Sequence, residues 1–126
     1  MKNIEMFFDR LAPYAGLVIR CGIGFAFMWF GWAAITDTEA WTRLVPEWTS
    51  AIAPASTLVM AHGIFELIAG FILCTGYWTR TVAILLGLNL AHTALFLLPW
   101  GPNAVRDTAL FVVTLGLGIF KDRDAR

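Results

Sequence analysis

The chain has 126 residues, of which 59% are hydrophobic and only 14% are charged. Soluble domains carry about 25% charged residues, so a soluble globule of this length would lack the polar surface that it needs. The apolar content excludes intrinsic disorder, and nine Lys+Arg balanced by nine Asp+Glu argue against nucleic-acid binding. The composition therefore predicts an integral membrane protein.

The chain opens with a segment, residues 1–12, whose pattern predicts a short interfacial helix. Its apolar side chains recur at near-helical spacing, and its polar residues fall on the opposite side (Ile4, Phe7, Phe8 and Leu11 against Asn3, Asp9 and Arg10). A frayed terminal segment is the alternative interpretation.

Four apolar stretches follow, and a membrane-crossing helix needs roughly 20 such residues. They run from about residue 13 to 35, 56 to 77, 81 to 98 and 102 to 120. The first is too long for a signal peptide and follows acidic residues, so we expect an uncleaved helix. The fourth is long enough only if it begins near Pro102, where proline is favourable. We predict a single membrane domain, residues 1–126, folded as an all-α transmembrane four-helix bundle.

The distribution of Lys and Arg predicts the orientation of these helices. Six of these residues fall on the side of the two termini and two fall on the other (Lys2, Arg10, Arg80, Lys121, Arg123 and Arg126, against Arg43 and Arg106). This bias predicts cytoplasmic termini and an external loop from about Thr36 to Ala55. The loop has helical apolar spacing interrupted by Pro46, so we expect short interfacial helices there.

Two oppositely charged residues lie within the apolar stretches, Arg20 in the first and Glu66 in the second. An ionisable group inside a bilayer costs several kcal/mol unless it is paired or hydrated. Counting 1.5 Å per residue from the inner helix ends places the two at depths that differ by about 5 Å. We therefore expect an Arg20–Glu66 ion pair, acting either as a structural clamp or as part of a functional site.

Three further polar residues are expected near that pair and complete a candidate binding site. His62 lies one turn from Glu66, and Asn89 and His92 reach similar depth from the third stretch. The five residues could bind a polar headgroup such as a quinone, or relay a proton; structural roles for the two histidines are the alternative. Histidine and glutamate are also metal-ligand types, but no dense cluster supports a metal site, and we predict none.

Other candidate groups carry weaker indications of chemistry. Cys21 and Cys74 lie in apolar surroundings, where we expect them to act as small hydrophobic residues. Arg106 and Asp107 open the fourth helix, and we expect a surface or interface pair there, with the lining of an outward pocket as the alternative. A stripe of small residues on the third stretch lies opposite its polar face, which suggests contact with a second subunit (Ala83, Gly87 and Ala91).

Three segments together resemble the DoxX-like family of small four-helix bacterial membrane proteins. They are IRCGIGFAFMWFGWAAI at 19–35, FELIAGFILCTGYWTR at 65–80 and AVRDTALFVVTLGL at 104–117. Arg20, Glu66 with its following glycines and Arg80, and the Arg106–Asp107 pair fit the family pattern. Relatives often have a lysine soon after the glycine that here is Gly31, whereas this chain continues with Trp32.

The resemblance implies a multi-pass subunit of the bacterial inner membrane, associated with a quinone- or thiol-linked oxidoreductase system. It implies other membrane or redox subunits as partners and quinone as the possible cofactor, and it leaves open whether the chain itself is an enzyme. Two other functions remain: a structural or assembly subunit without its own catalysis, and a small transporter, which would have to be oligomeric because four short helices enclose little volume.

Overall fold

A computed structural model describes residues 2–96 and 102–119, and this part of the chain is all-α, as the composition predicts. The helices are α1 (Lys2–Leu11), α2 (Ala15–Thr36), α3 (Thr38–Thr42), α4 (Ala55–Thr75), α5 (Thr79–Phe96) and α6 (Pro102–Ile119). Two short 3-10 helices, Ala12–Tyr14 and Glu47–Ala51, join them. The ends of the third and fourth predicted stretches, together with Trp100, Lys121, Arg123 and Arg126, lie outside the described residues.

Two helical segments in the described part of the chain are long and apolar enough to cross a membrane. They are Lys2–Thr36, in which α1 continues into α2 through the 3-10 turn, and Ala55–Thr75. Helices α5 and α6 have 18 residues each and are less uniformly apolar, because Arg80, Asn89 and His92 interrupt one and Arg106 and Asp107 interrupt the other.

Helices α2 and α4 form a closely packed antiparallel pair, and glycines make the close approach possible. An ideal Cβ on Gly24 would lie 2.6 Å from the Gly70 carbonyl oxygen, and one on Gly31 would lie 2.5 Å from that of Gly63. These distances are too short for any side chain, so the two backbones are in direct contact. Helices inside lipid associate through such close packing because apolar burial offers them little.

Helices α5 and α6 form the second closely packed pair, and an apolar core joins it to the first. The predicted small-residue stripe of α5 packs on α6: Ala83 is fully buried, and Gly87 faces Phe111 and Leu115. The core between the pairs takes residues from all four helices (Ile23, Phe27, Ala69, Leu73, Val82, Ala83, Leu86, Leu90 and Leu117).

The opposite side of α5 reaches α4, where Asn89 donates a hydrogen bond to Glu66. The expectation of a second subunit came from the two dissimilar faces of α5. Because α4 and α6 of the same chain cover both faces, that reason for expecting a second subunit no longer holds.

The connections between helices follow from their sequences. The α4–α5 turn is tight because Gly76 adopts a left-handed conformation (φ 85°) and donates its N–H to the Leu73 carbonyl at 3.2 Å. The α2–α4 loop contains α3 and the second 3-10 helix, as the apolar spacing around Pro46 predicts. Exposed aromatic rings mark both ends of the helices, with Tyr77 and Trp78 at one end and Trp32 and Trp48 at the other.

The glycine contacts give a direct test of the α2–α4 pairing. We expect Gly31→Ala to lower the free energy of unfolding by about 1–3 kcal/mol, because the new methyl group meets backbone atoms that cannot move aside. Gly22→Ala on the same helix has no atom within 4 Å of the new Cβ and should be neutral or slightly stabilising. Unfolding in mixed detergent measures both, and equal stability of the two variants would contradict this packing.

Candidate functional site

A cavity of about 780 Å³ lies between the two helix pairs and beneath the α2–α4 loop. Its wall is mostly apolar and aromatic, and all four long helices contribute (Ala26, Phe27, Phe30 and Ala34 of α2; Leu58 and Val59 of α4; Leu90 of α5; Leu110 of α6). The α2–α4 loop adds further lining residues (Ala40, Trp41, Arg43, Leu44, Val45, Pro46, Trp48, Thr49 and Ile52). The polar lining residues are few: Arg43, Thr49, His62, Glu66, His92, Thr93, Arg106 and Asp107. Cavities of this size and character are typical of sites for small amphipathic molecules.

Glu66 is one of two buried carboxylates on the wall of this cavity, with only 7% of its surface exposed. Its Oε1 accepts a hydrogen bond from Asn89 Nδ2 at 3.0 Å, and His62 Nε2 lies 3.2 Å from the same oxygen. His62 sits one helical turn before Glu66, so both side chains leave the same face of α4, whereas Asn89 comes from α5. Two hydrogen-bond donors therefore hold one carboxylate oxygen, and the carboxylate faces the cavity.

Arg106 and Asp107 form a second polar group on the cavity wall. Asp107 is buried (5% exposed), and its Oδ1 lies 3.0 Å from both Nε and Nη2 of Arg106. The guanidinium also stacks 4.6 Å from the ring centre of Phe30, which itself meets Trp41 edge to face. The pair lies on the cavity wall, and the Arg106 side chain keeps 45% of its surface exposed, so both the surface or interface role and the outward-pocket role stay predictions.

The structure thus brings most of the predicted site residues together. His62, Glu66 and Asn89 are in contact, and His92, Arg106 and Asp107 line the same cavity. Several lining residues escaped the sequence-based prediction, notably Phe30 and Arg43. The aromatic spacing of the loop was the available signal, but it predicted only an interfacial position for Trp41 and Trp48.

Arg20 is the exception, and the expected Arg20–Glu66 ion pair does not form. The guanidinium packs against the end of α4, where an ideal Cβ on Gly76 would lie 3.1 Å from Arg20 Cζ. Glu66 precedes Gly76 by ten residues, which is about 15 Å of helical rise. The Nε of Arg20 is buried and has no hydrogen-bond partner among the described residues. Arg20 therefore does not belong to the cavity.

The depth estimate failed because it treated the inner helix ends, which are the start of the first helix and the end of the second, as level with each other. The glycine contacts set a different register, in which α2 extends past the end of α4 and Arg20 comes level with Gly76. At this position the cation lies beside the carboxyl end of α4, where the helix dipole favours positive charge.

The remaining candidates stay outside the cavity. Cys74 Sγ lies 3.9 Å from the Cys21 carbonyl oxygen, in the close contact of α2 with α4, and both thiols are free. Within the part of the chain that the structure describes, no group of three or more His, Cys, Asp and Glu side chains is arranged to hold a metal ion. The polar side chains that line the cavity can donate and accept hydrogen bonds and form ion pairs.

Comparison with known proteins adds one finding to this geometry. The family model of DoxX matches residues 15–99, about two thirds of the chain. No significant match is found among curated proteins or among solved structures. The matched segment contains α2 to α5 and with them Glu66, His62 and Asn89. The chain therefore belongs to the DoxX family and is a small membrane protein.

Proposed function

We propose that the chain is a multi-pass protein of the bacterial inner membrane, in which α2, α4, α5 and α6 cross the bilayer as a four-helix bundle. Both termini are cytoplasmic, and the α2–α4 loop faces outside. The bias of Lys and Arg supports this orientation. The exposed aromatic rings at both helix ends support the transmembrane placement of the helices, since such rings favour the headgroup level on either side.

We further propose that the cavity binds the headgroup of a quinone and that the chain serves a quinone- or thiol-linked oxidoreductase system as a membrane subunit. The observation that carries this proposal is the buried Glu66, held by Asn89 and His62 on the wall of an aromatic-lined cavity. A quinone ring is flat and apolar on its faces and has hydrogen-bonding oxygens on its edge, which matches this lining.

Different residues of the cavity would contact different parts of a quinone ring. The rings of Phe27, Phe30 and Trp41 offer apolar surface to a flat ring. His62, with 39% of its side chain exposed, and Arg106, with 45%, can donate hydrogen bonds to ring oxygens. Glu66 can accept a hydrogen bond from a ring hydroxyl and can take up or release a proton. A bound quinone would supply two-electron, two-proton redox chemistry.

The second candidate function is a structural or assembly subunit of a larger membrane complex, and one contact supports the structural part of this role. The Asn89–Glu66 hydrogen bond joins α5 to α4 and thereby one helix pair to the other. Because polar groups buried in the membrane are costly when unpaired, this bond holds the relative position of the two pairs. The same residues can therefore act as a clamp without binding a ligand.

A measurement of ligand binding distinguishes the quinone site from a purely structural role. We expect a short-chain hydroquinone analogue to bind the purified wild-type protein, and Glu66→Gln to weaken its affinity about tenfold, because a hydrogen bond to a charged acceptor becomes one to a neutral acceptor. Glu39→Gln is the matched control, since Glu39 is exposed on α3 and lies outside the cavity. Arg20→Gln should also bind normally. Isothermal titration in detergent measures all four, and equal affinity of wild type and Glu66→Gln would contradict the quinone site.

The free energy of unfolding tests whether the Asn89–Glu66 hydrogen bond acts as a structural clamp. We expect Asn89→Leu to lower the free energy of unfolding by about 1–3 kcal/mol, because Glu66 loses a donor while it stays buried. Asn3→Leu, on the exposed α1, serves as the control for the same substitution and should have little effect. Unfolding in detergent gives both values. A stable Asn89→Leu variant would mean that the hydrogen bond is not needed to hold the helix pairs together.

Topology is tested with a thiol outside the cavity. In a variant without native cysteines (Cys21→Ala, Cys74→Ala), Glu47→Cys in the α2–α4 loop should react with a membrane-impermeant maleimide in intact spheroplasts. A fluorescent protein fused to the C-terminus should fluoresce, as expected in the cytoplasm. If residue 47 reacts only after the membrane is permeabilised, the proposed orientation is wrong.

A further inference from the structure

Helix α1 is exposed along its whole length, although half of its ten residues are apolar. Ile4, Phe7, Phe8 and Leu11 have exposed fractions from 44% to 62%. At 100° per residue these four side chains lie on one face, and the charged residues lie on the opposite face. Nothing in the described part of the chain covers the apolar face, because α1 has no buried residue.

The register of α2 against α4 shows where α1 lies relative to the bilayer. Helix α4 has 21 residues, which span about the thickness of the hydrocarbon core, and it ends at Thr75. Arg20 is level with Gly76, so the chain before Arg20 lies beyond that boundary. From Arg20 back to Lys2 is about 27 Å along a helix, whereas the headgroup layer is only about 5–8 Å thick on each side.

A straight continuation of α2 would therefore carry the apolar face of α1 through the headgroups and into water. The 3-10 turn Ala12–Tyr14, which contains Pro13, interrupts the α-helix near the level of the headgroups, and the chain can change direction there. Tyr14 lies about 9 Å of helical rise beyond Arg20, close to the outer limit of the headgroup layer. A change of direction at this turn would lay α1 parallel to the membrane surface.

We infer that α1 is a membrane-surface anchor, lying among the lipid headgroups with the face of Ile4, Phe7, Phe8 and Leu11 directed at the acyl chains. Its occupant is lipid because exposed apolar side chains follow directly along the chain, in the first turns of the membrane-crossing α2 (Leu17, Val18 and Ile19). Lys2 and Arg10 balance Glu5 and Asp9, so the contact depends on apolar burial and does not require anionic lipid.

Spin labels on α1 test this inference in the full chain reconstituted into phosphatidylcholine vesicles. Starting from the cysteine-free variant, nitroxide labels are attached at Phe8→Cys on the apolar face and at Asp9→Cys on the opposite face. We expect the ratio of relaxation by oxygen to relaxation by an aqueous nickel complex to be several-fold higher at residue 8 than at residue 9. Addition of phosphatidylglycerol should leave that ratio unchanged.

Two results would overturn the inference. Equal, water-like ratios at both positions would mean that α1 projects into solution. Immobilised labels that neither reagent reaches would mean that protein, such as a second copy of the chain, covers the face. The inference rests on α2 crossing the bilayer, as proposed above, so a label at Phe25→Cys on the exposed side of α2 is the reference. If the oxygen-to-nickel ratio is high at residue 25 but not at residue 8, then α2 lies in the bilayer and only the inference about α1 is wrong.

Discussion

The contact between the backbones of α2 and α4 determines the position of the functional groups described above. Gly24 meets Gly70 and Gly31 meets Gly63, so neither helix can slide along the other without placing a side chain against a backbone. This register brings Arg20 to the end of α4 and leaves Glu66 without a cation from α2. The buried carboxylate is instead held by Asn89 of α5 and by His62 of its own helix. A steric constraint at glycines thus decides which electrostatic partners meet.

Much of the fold could be predicted from the sequence, because long apolar stretches bounded by polar, glycine and proline residues have few alternatives to helices. The helical bounds of α2, α4 and the start of α6 follow the apolar stretches closely. Counting depth from the helix ends wrongly predicted an Arg20–Glu66 ion pair, since a helix end need not coincide with the bilayer boundary. The glycine spacing contained the missing information: each helix has two contact glycines seven residues apart, and antiparallel alignment of those pairs places Arg20 near Cys74 to Gly76.

The candidate site could be predicted only in part, again because helix packing decides which residues meet. Polar residues in an apolar sequence are conspicuous, so His62, Glu66, Asn89 and His92 could be selected without a structure. The aromatic and aliphatic wall could not, because rings such as Phe30 and Trp41 look the same in sequence whether they face lipid or a cavity. Their role depends on where the two helix pairs separate, which is a property of the packing of four helices. Asp107 illustrates the same point, since its burial results from α6 facing the cavity.

The distribution of packing along the molecule explains why a cavity forms at one end. Toward the α4–α5 turn, Leu73 and Leu86 fill the space between the pairs and are completely buried. Toward the α2–α4 loop, Glu66 and Asn89 lie between the helix pairs, and their polar groups do not pack together as the leucine side chains do. A carboxylate needs donors and excludes close apolar packing around its oxygens, so the helix pairs cannot close over it as they do over leucine. The buried carboxylate is therefore also the residue that keeps the cavity open.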